Sequence, residues 1–252
     1  MHRSAGRAYS DHLVFPPCPV MLVVSQQDMD PRKLFVDNRL LGACVYCGGL
    51  PDTRDHVPSR VLLDEPFPEN LPVANCCEAC NAGFSLDEQY LACFIDCVIS
   101  GSTSPDDVER AKVARILTET PSIAARIAAS ETKSPDGQQI WQPEVDRVHN
   151  VILKLARGHA AYELSVLEQL DEPQSISAVP VVTLDPNAVE QFLSPQDTAF
   201  WPEIGSRACK QFTGADRWQV LQPGRYQYLV TQADGLVVRI LLSDYLACEV
   251  RW

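Results

Sequence analysis

The amino-acid sequence predicts an α+β fold: a small cysteine-stapled module, then a helical region, then a β-rich C-terminal part. Three observations lead to this prediction. Two Cys-x-x-Cys pairs bracket a segment rich in Pro, Gly and Asn, which has too few apolar residues to build a core without a staple. Apolar residues at helical spacing follow it. The end of the chain carries runs of Val, Tyr and Leu separated by turn residues.

Composition limits what these parts can do. The chain has 252 residues, 46% of them hydrophobic, which is enough for one sizeable core. No apolar run approaches the length that spans a bilayer, so we predict no membrane association and a cytoplasmic location. Residues 1–29 are expected to be a poorly ordered leader. No secretory signal is expected there, because closely spaced prolines interrupt the one apolar patch of residues 1–19. Asp30 followed by Pro31 is typical of the start of a short helix.

Ten cysteines are many for this length, and their spacing indicates two uses. Four form the pairs Cys44/Cys47 and Cys77/Cys80. Because cytosolic thiols stay reduced, paired knuckles favour a metal over disulfides, and four thiolates suit one tetrahedral, structural Zn²⁺. Cys76 adjoins the second pair and competes as a ligand in an alternative register. The others are expected to fill the core. These are Cys18, Cys93, Cys97, Cys209 and Cys248.

The module is assigned to residues 30–90 and an accessory domain to residues 91–252. Helices are expected from Ser85, from Ser104 and from near Pro143. Strands are expected after about residue 176, with hairpin turns between the last three. The predicted strands are Ala178–Leu184, Trp218–Leu221, Tyr226–Val230 and Leu236–Leu242.

We expect these strands to pack on the third helix and to leave the module as an appendage. In this arrangement Val148 and Ile152 face Tyr228 and Leu236. His159, near the end of the third helix, is expected to be a packing or surface residue.

A set of polar residues lies between and just after the cysteine pairs. Asp55 and His56 are followed by Pro58, then by Asn70-Leu71 and, directly after the second pair, by Asn81. In this order the elements resemble the HNH endonuclease superfamily. Its pattern is Cys-x-x-Cys, Asp-His-x-x-Pro, Asn-Leu and Cys-x-x-Cys-Asn, and Pro58 comes one residue earlier than in this pattern. The resemblance implies a ββα-metal fold for the module.

The resemblance also implies a role for each matching residue. His56 matches the general base that deprotonates the attacking water, to which an imidazole is suited near neutral pH. Asp55 and Asn81 match the ligands of one catalytic divalent ion, Mg²⁺ or Mn²⁺, which stabilises charge on the leaving oxygen. Asn70 matches the residue that fixes the loop carrying the base. Arg60 is the candidate to contact the phosphate, with Arg54 as a second candidate, although either could be a solvated arginine.

Each residue has a structural interpretation beside the catalytic one. An Asp-His pair is often a hydrogen-bonded structural pair, Asn70 could cap a turn, and Asn81 could cap the following helix. The resemblance covers about residues 42–90, and Gly83-Phe84-Ser85 stands where many family members carry a Lys or Arg. The accessory domain is only loosely similar to uncharacterised bacterial HNH-domain proteins.

Two functions therefore stay open. The resemblance implies an endonuclease that hydrolyses DNA phosphodiester bonds. The net charge of −12, from 21 basic and 33 acidic residues, argues against broad nucleic-acid binding. Such a nuclease would need low salt or a basic protein partner. The alternative is a catalytically silent zinc module that mediates protein contacts with a larger nucleic-acid enzyme.

Overall fold

The computed structural model describes residues 42–164, 168–194, 217–232 and 235–252. All of them belong to one compact unit, Phe35–Trp252. The predicted leader, the helix predicted after Asp30, and Cys18 and Cys209 lie outside the described residues. Within the described part of the chain, no helix is both long enough and apolar enough to cross a membrane.

A knuckle, a hairpin and a helix follow one another at the start of the described chain. Strand β1 (Thr53–His56) pairs antiparallel with β2 (Val73–Cys76). Helix α1 (Glu78–Ser100) begins directly after β2, with Cys77 as its N-cap, and ends at Gly101 in the left-handed conformation. The chain thus passes from the hairpin into the helix at the second cysteine pair.

The middle of the chain is helical, as predicted, with a small hairpin inserted. Helices α2 (Ala111–Glu119) and α3 (Pro121–Ala129) come first. Strands β3 (Glu131–Lys133) and β4 (Gln139–Trp141) then pair with each other, and the long helix α4 (Val145–Leu164) follows. Helix α4 begins close to its predicted start.

The C-terminal part forms a five-stranded antiparallel sheet, which confirms the predicted β-rich end. The strands are β5 (Ser175–Pro180), β6 (Gln219–Gln222), β7 (Tyr226–Gln232), β8 (Leu236–Leu242) and β9 (Leu246–Arg251). They lie in the order β5-β9-β8-β7-β6, and a short helix, α5 (Pro186–Leu193), stands between β5 and β6 in the chain. Strand β9 was not predicted because Glu249 and Arg251 interrupt its apolar run. Glu249 pairs across the sheet with Arg239 at 2.7 Å.

Helix α4 joins the module and the sheet in one core. Val148 and Ile152 lie in the same buried cluster as Tyr228 and Leu236, as predicted. That cluster also takes in the knuckle and the hairpin, and the predicted boundary at residue 90 falls inside α1. The module is therefore not an appendage, because its apolar side chains lie in one buried cluster with those of α4 and the sheet. Its contributors include Cys44, Val45, Tyr46, Val57, Ala74 and Cys76.

Two predicted helix starts differ from the observed ones. Helix α1 begins about two turns before Ser85, whose hydroxyl donates to the Ala82 carbonyl inside the helix and caps nothing. The segment from Ser104 forms turns, and α2 begins only at Ala111. Ser102 and Asp107 bond to each other there at 2.6 Å. Such local side-chain bonds compete with helix formation.

Candidate functional site

The four paired cysteines come together in one cluster. The sulfur atoms of Cys44, Cys47, Cys77 and Cys80 all lie within 4.8 Å of one another. Cys47 Sγ is 3.8 Å from Cys77 Sγ. Four sulfur atoms bound tetrahedrally to Zn²⁺ at about 2.3 Å would lie about 3.8 Å apart. The cluster could therefore hold one metal ion such as zinc, with two ligands from the knuckle and two from the start of α1.

The backbone of the knuckle favours the thiolate form of one member of this cluster, Cys44. The N–H of Gly48 donates to the Cys44 carbonyl at 2.8 Å, and Gly48 has a φ of 75°, which glycine adopts without strain. Desolvation by burial raises the pKa of the Cys44 thiol. Backbone N–H donors of Cys77, Tyr46 and Cys47 outweigh this effect, so that the pKa of Cys44 is lowered. The thiolate is the form that binds metal.

Cys76 is not among the clustered sulfur atoms. It is fully buried in β2, opposite Thr53. Burial raises the pKa of its thiol to about 12. The described cluster therefore has Cys77 and not Cys76 as a member, and the alternative register is not the one observed.

Asp55 points into the protein, where two donors already bind it. The Tyr46 hydroxyl donates to Asp55 Oδ2 at 2.8 Å, and Lys154 Nζ on α4 lies 2.6 Å from the same oxygen. Lys154 also donates to Glu88 of α1. Burial raises the pKa of Glu88, against the opposing effect of Lys154. One buried ammonium thus links a carboxylate on β1 to a carboxylate on α1.

His56 has different surroundings from Asp55, because successive residues of a strand point to opposite faces. It is half-buried at the end of β1, and the exposed Arg60 donates from Nη2 to His56 Nε2 at 3.3 Å. Arg60 begins a short 3-10 helix, Arg60–Leu62, four residues after His56. Arg54, on the same face of β1 as His56, is exposed. Asp55 and His56 therefore lie on opposite faces of β1.

A basic and aromatic cluster adjoins His56. The Phe67 ring, in the connection between β1 and β2, has Arg60 Cζ at 5.4 Å and Lys112 Nζ at 4.4 Å from its centroid. Lys112, on α2, also donates to the carbonyls of Arg60 and Leu63. Helix α2 therefore holds this connection in place and brings a positive charge to an otherwise acidic chain.

Asn70 and Asn81 do not share the buried surroundings of Asp55. Asn70 is exposed in the turn before β2. Asn81 lies in the first turn of α1, on the wall of an open cleft of about 610 Å³. The residues that line this cleft in the described structure do not include Asp55. They are Asp52, Thr53, Glu78, Asn81, Ala82 and Ser85.

This arrangement fits a zinc ion in the cysteine cluster but does not fit a divalent ion held by Asp55 and Asn81. An ammonium and a phenol already occupy Asp55 Oδ2. Across the described ranges, the four cysteines are also the sole group of three or more His, Cys, Asp or Glu side chains arranged to hold an ion.

Sequence reasoning missed Lys154, Glu88 and Tyr46. One feature of the sequence could have indicated this cluster: Lys154 lies on the same helical face as the buried Val151 and Gly158. A lysine at such a position requires a buried acidic partner. Which carboxylates would meet it depends on how α4 packs against β1 and α1.

Comparison of the chain with models of protein families, with curated proteins and with solved structures found no match.

Proposed function

We propose that this chain is an HNH-type endonuclease, a hydrolase of DNA phosphodiester bonds in which His56 is the general base. The observation that carries the proposal is the succession of knuckle, hairpin and helix around the cysteine cluster. Asp55 and His56 lie on the first strand and Asn81 in the first turn of the helix. This is the order of elements that the HNH resemblance implies for a ββα unit.

The zinc ion would act on the structure of the site and not on the substrate. A closed four-thiolate site leaves no coordination position for water. Zinc bound by Cys44 and Cys47 on one side and by Cys77 and Cys80 on the other would join the knuckle to α1. The hairpin between them, which carries His56, would then be held against the helix.

His56 would take the proton of the attacking water. In the free protein, its Nε2 accepts a hydrogen bond from Arg60. A phosphate group bound by the Arg60 guanidinium would draw Arg60 away and leave Nε2 facing the attacking water. The proton of that water would pass to Nε2 as its oxygen bonds to phosphorus, while the bond from phosphorus to the leaving oxygen breaks and that oxygen takes a proton from solvent. Arg60 would therefore both bind the substrate and release the base.

The basic side chains near His56 make this side of the module suited to bind a phosphate. Arg60 contacts His56, Arg54 is exposed on the same strand, and Lys112 contacts the Arg60 carbonyl and the Phe67 ring. The net charge of the chain is −12, so we expect weak binding of bare DNA that low salt or a basic partner strengthens. With two or three phosphate contacts, the logarithm of the affinity would fall by about 2–3 per tenfold increase in salt.

A second candidate function is favoured by the pairing of Asp55 with Lys154. If Asp55 serves only to join β1 to α4, the module is a catalytically silent zinc-binding unit for protein contacts. The two candidates differ in one measurable property, which is cleavage that depends on His56.

The test is DNA cleavage at low salt by zinc-loaded protein, with and without added Mg²⁺ or Mn²⁺. His56→Ala should reduce the rate by about 10²–10⁴-fold, the usual contribution of a general base. It should leave zinc content and the unfolding transition unchanged, since His56 lies outside the apolar core. His149→Ala, a half-buried histidine on α4, is the matched control. Absence of cleavage, or equal cleavage by His56→Ala, would favour the silent module.

A further inference from the structure

The buried side chain of Lys154 has no role in the proposed reaction. Its Nζ lies 2.6 Å from Asp55 Oδ2 and donates to Glu88. The rings of Tyr46 and Phe84 lie 5.8 Å and 5.6 Å from the same nitrogen. Carboxylates and the faces of aromatic rings both attract cations. The ammonium is therefore enclosed by groups that each favour a positive charge.

The charges in this enclosure do not balance. Asp55 is 8% exposed, Glu88 4% and Lys154 1%. Two buried carboxylates thus share one ammonium, and burial of a carboxylate without a cation is strongly unfavourable. Burial raises the pKa of Glu88, while Lys154 and a hydrogen bond from the Ser59 side chain oppose this effect. A pair of carboxylates around one cation is also an arrangement that divalent ions occupy.

We infer that Lys154 is the resident cation of the Asp55–Glu88 pair and takes the position beside Asp55 that the HNH resemblance gives to a divalent ion. The inference rests on the proposed function for the identification of that position. Its consequence is that Mg²⁺ or Mn²⁺ reaches Asp55 only if the ammonium leaves its enclosure. The folded protein therefore binds no divalent ion there, and removal of the ammonium creates a site for one.

The test is Mn²⁺ binding to zinc-loaded protein, followed through the electron paramagnetic resonance signal of free Mn²⁺. Wild-type protein should show no Mn²⁺ binding that Asp55→Asn removes. Lys154→Met, which keeps the length of the side chain and removes its charge, should bind one Mn²⁺ at least about 100-fold more tightly than the detection limit at which wild type shows no such binding, because two buried carboxylates are left without a cation. Asp55→Asn in the Lys154→Met background should abolish this binding. Zinc content confirms that the cysteine cluster is intact.

Two results would overturn the inference: Mn²⁺ binding by wild type that Asp55→Asn abolishes, or a folded, zinc-loaded Lys154→Met protein that gains no Mn²⁺ site. If Lys154→Met does not fold, Lys154→Gln replaces it and is judged by the same two results. The proposed function fails separately. Absence of His56-dependent cleavage would remove the nuclease and leave the Mn²⁺ results standing.

Discussion

Gly158 of α4 lies directly against Val57, the residue that follows β1. A Cβ atom at Gly158 would come within 2.6 Å of Val57 Cγ2 and 2.8 Å of Val57 Cγ1. Both residues are buried, so neither can turn toward solvent. This contact sets the distance between α4 and the end of the strand that carries Asp55 and His56. The position of Lys154 beside Asp55 depends on it.

Gly158→Ala should therefore destabilise the protein. The added methyl group overlaps the branched carbon atoms of Val57, and such overpacking lowers the free energy of unfolding by about 1–3 kcal/mol. Gly83→Ala is the matched control, because Gly83 also lies inside a helix but a Cβ atom there would have nothing within 4 Å. That change should raise stability by about 0.5–1 kcal/mol. Urea denaturation measures both. Equal effects of the two substitutions would contradict the close contact at Val57.

The cysteine cluster predicts the zinc content of the protein. Elemental analysis should find about one zinc per chain, and Cys47→Ser should lose it and unfold the segment from the knuckle to the start of α1, because metal binding supplies the folding free energy of such segments. Cys76→Ala is the control, since Cys76 is adjacent to Cys77 but outside the cluster. It should keep the zinc at a modest loss of stability. Zinc loss from Cys76→Ala with retention in Cys77→Ala would reverse the assignment of ligands.

Replacement of Arg110 should cause a large loss of stability. Arg110 is 7% exposed and bonds Asp64 at 2.6 Å and Asp96 at 3.2 Å. Burial raises the pKa of Asp96, and Arg110 opposes this effect. Arg110→Met would leave the buried Asp96 with Arg225 as its remaining cation, at 3.4 Å, and would remove the donor to two backbone carbonyls, at a cost of about 3 kcal/mol. Arg126→Met, which removes an exposed pair with Glu144, should cost about 0–1 kcal/mol. Thermal or urea unfolding distinguishes the two.

The burial of His159 should make the free energy of unfolding depend on pH. His159 is fully buried, donates to or accepts from the Tyr226 hydroxyl at 2.7 Å, and stacks on Tyr228 at 3.6 Å. Burial holds the pKa of His159 well below its ordinary value. Below about pH 6.5 the unfolded chain binds a proton that the folded chain does not bind, so stability falls on acidification by up to about 1.4 kcal/mol per pH unit.

His159→Phe isolates this contribution. The variant should be less stable at pH 7.5, because the Tyr226 hydroxyl loses its partner, but its stability should fall less steeply between pH 6.5 and pH 5. His149→Gln, a change at a half-buried histidine of the same helix, is the comparison. Urea unfolding across this range gives both slopes. Identical slopes for wild type and His159→Phe would exclude His159 as the group responsible.

Features that depend on neighbours in the chain could be predicted from the sequence. The Cys-x-x-Cys spacing led to the cluster, apolar periodicity led to α4, and hairpin turns led to β7 and β8. Each depends on backbone hydrogen bonds and side-chain spacing within a few residues. The start of α1 was less predictable, because the Ser85 pattern has the form of a cap inside a longer helix.

The amino-acid sequence by itself determined the α+β class, the cysteine frame and the order of strand, helix and sheet. Only the tertiary structure decided the surroundings of Asp55. Its partner Lys154 lies on α4, and the two meet because Gly158 lets α4 pack against Val57. The packing of α4 also explains why the module and the sheet share one core. A buried charge pairs with the opposite charge that the packing of the fold places next to it. Packing between elements that are distant in the chain leaves no periodic pattern in the sequence, so this pairing could not be predicted.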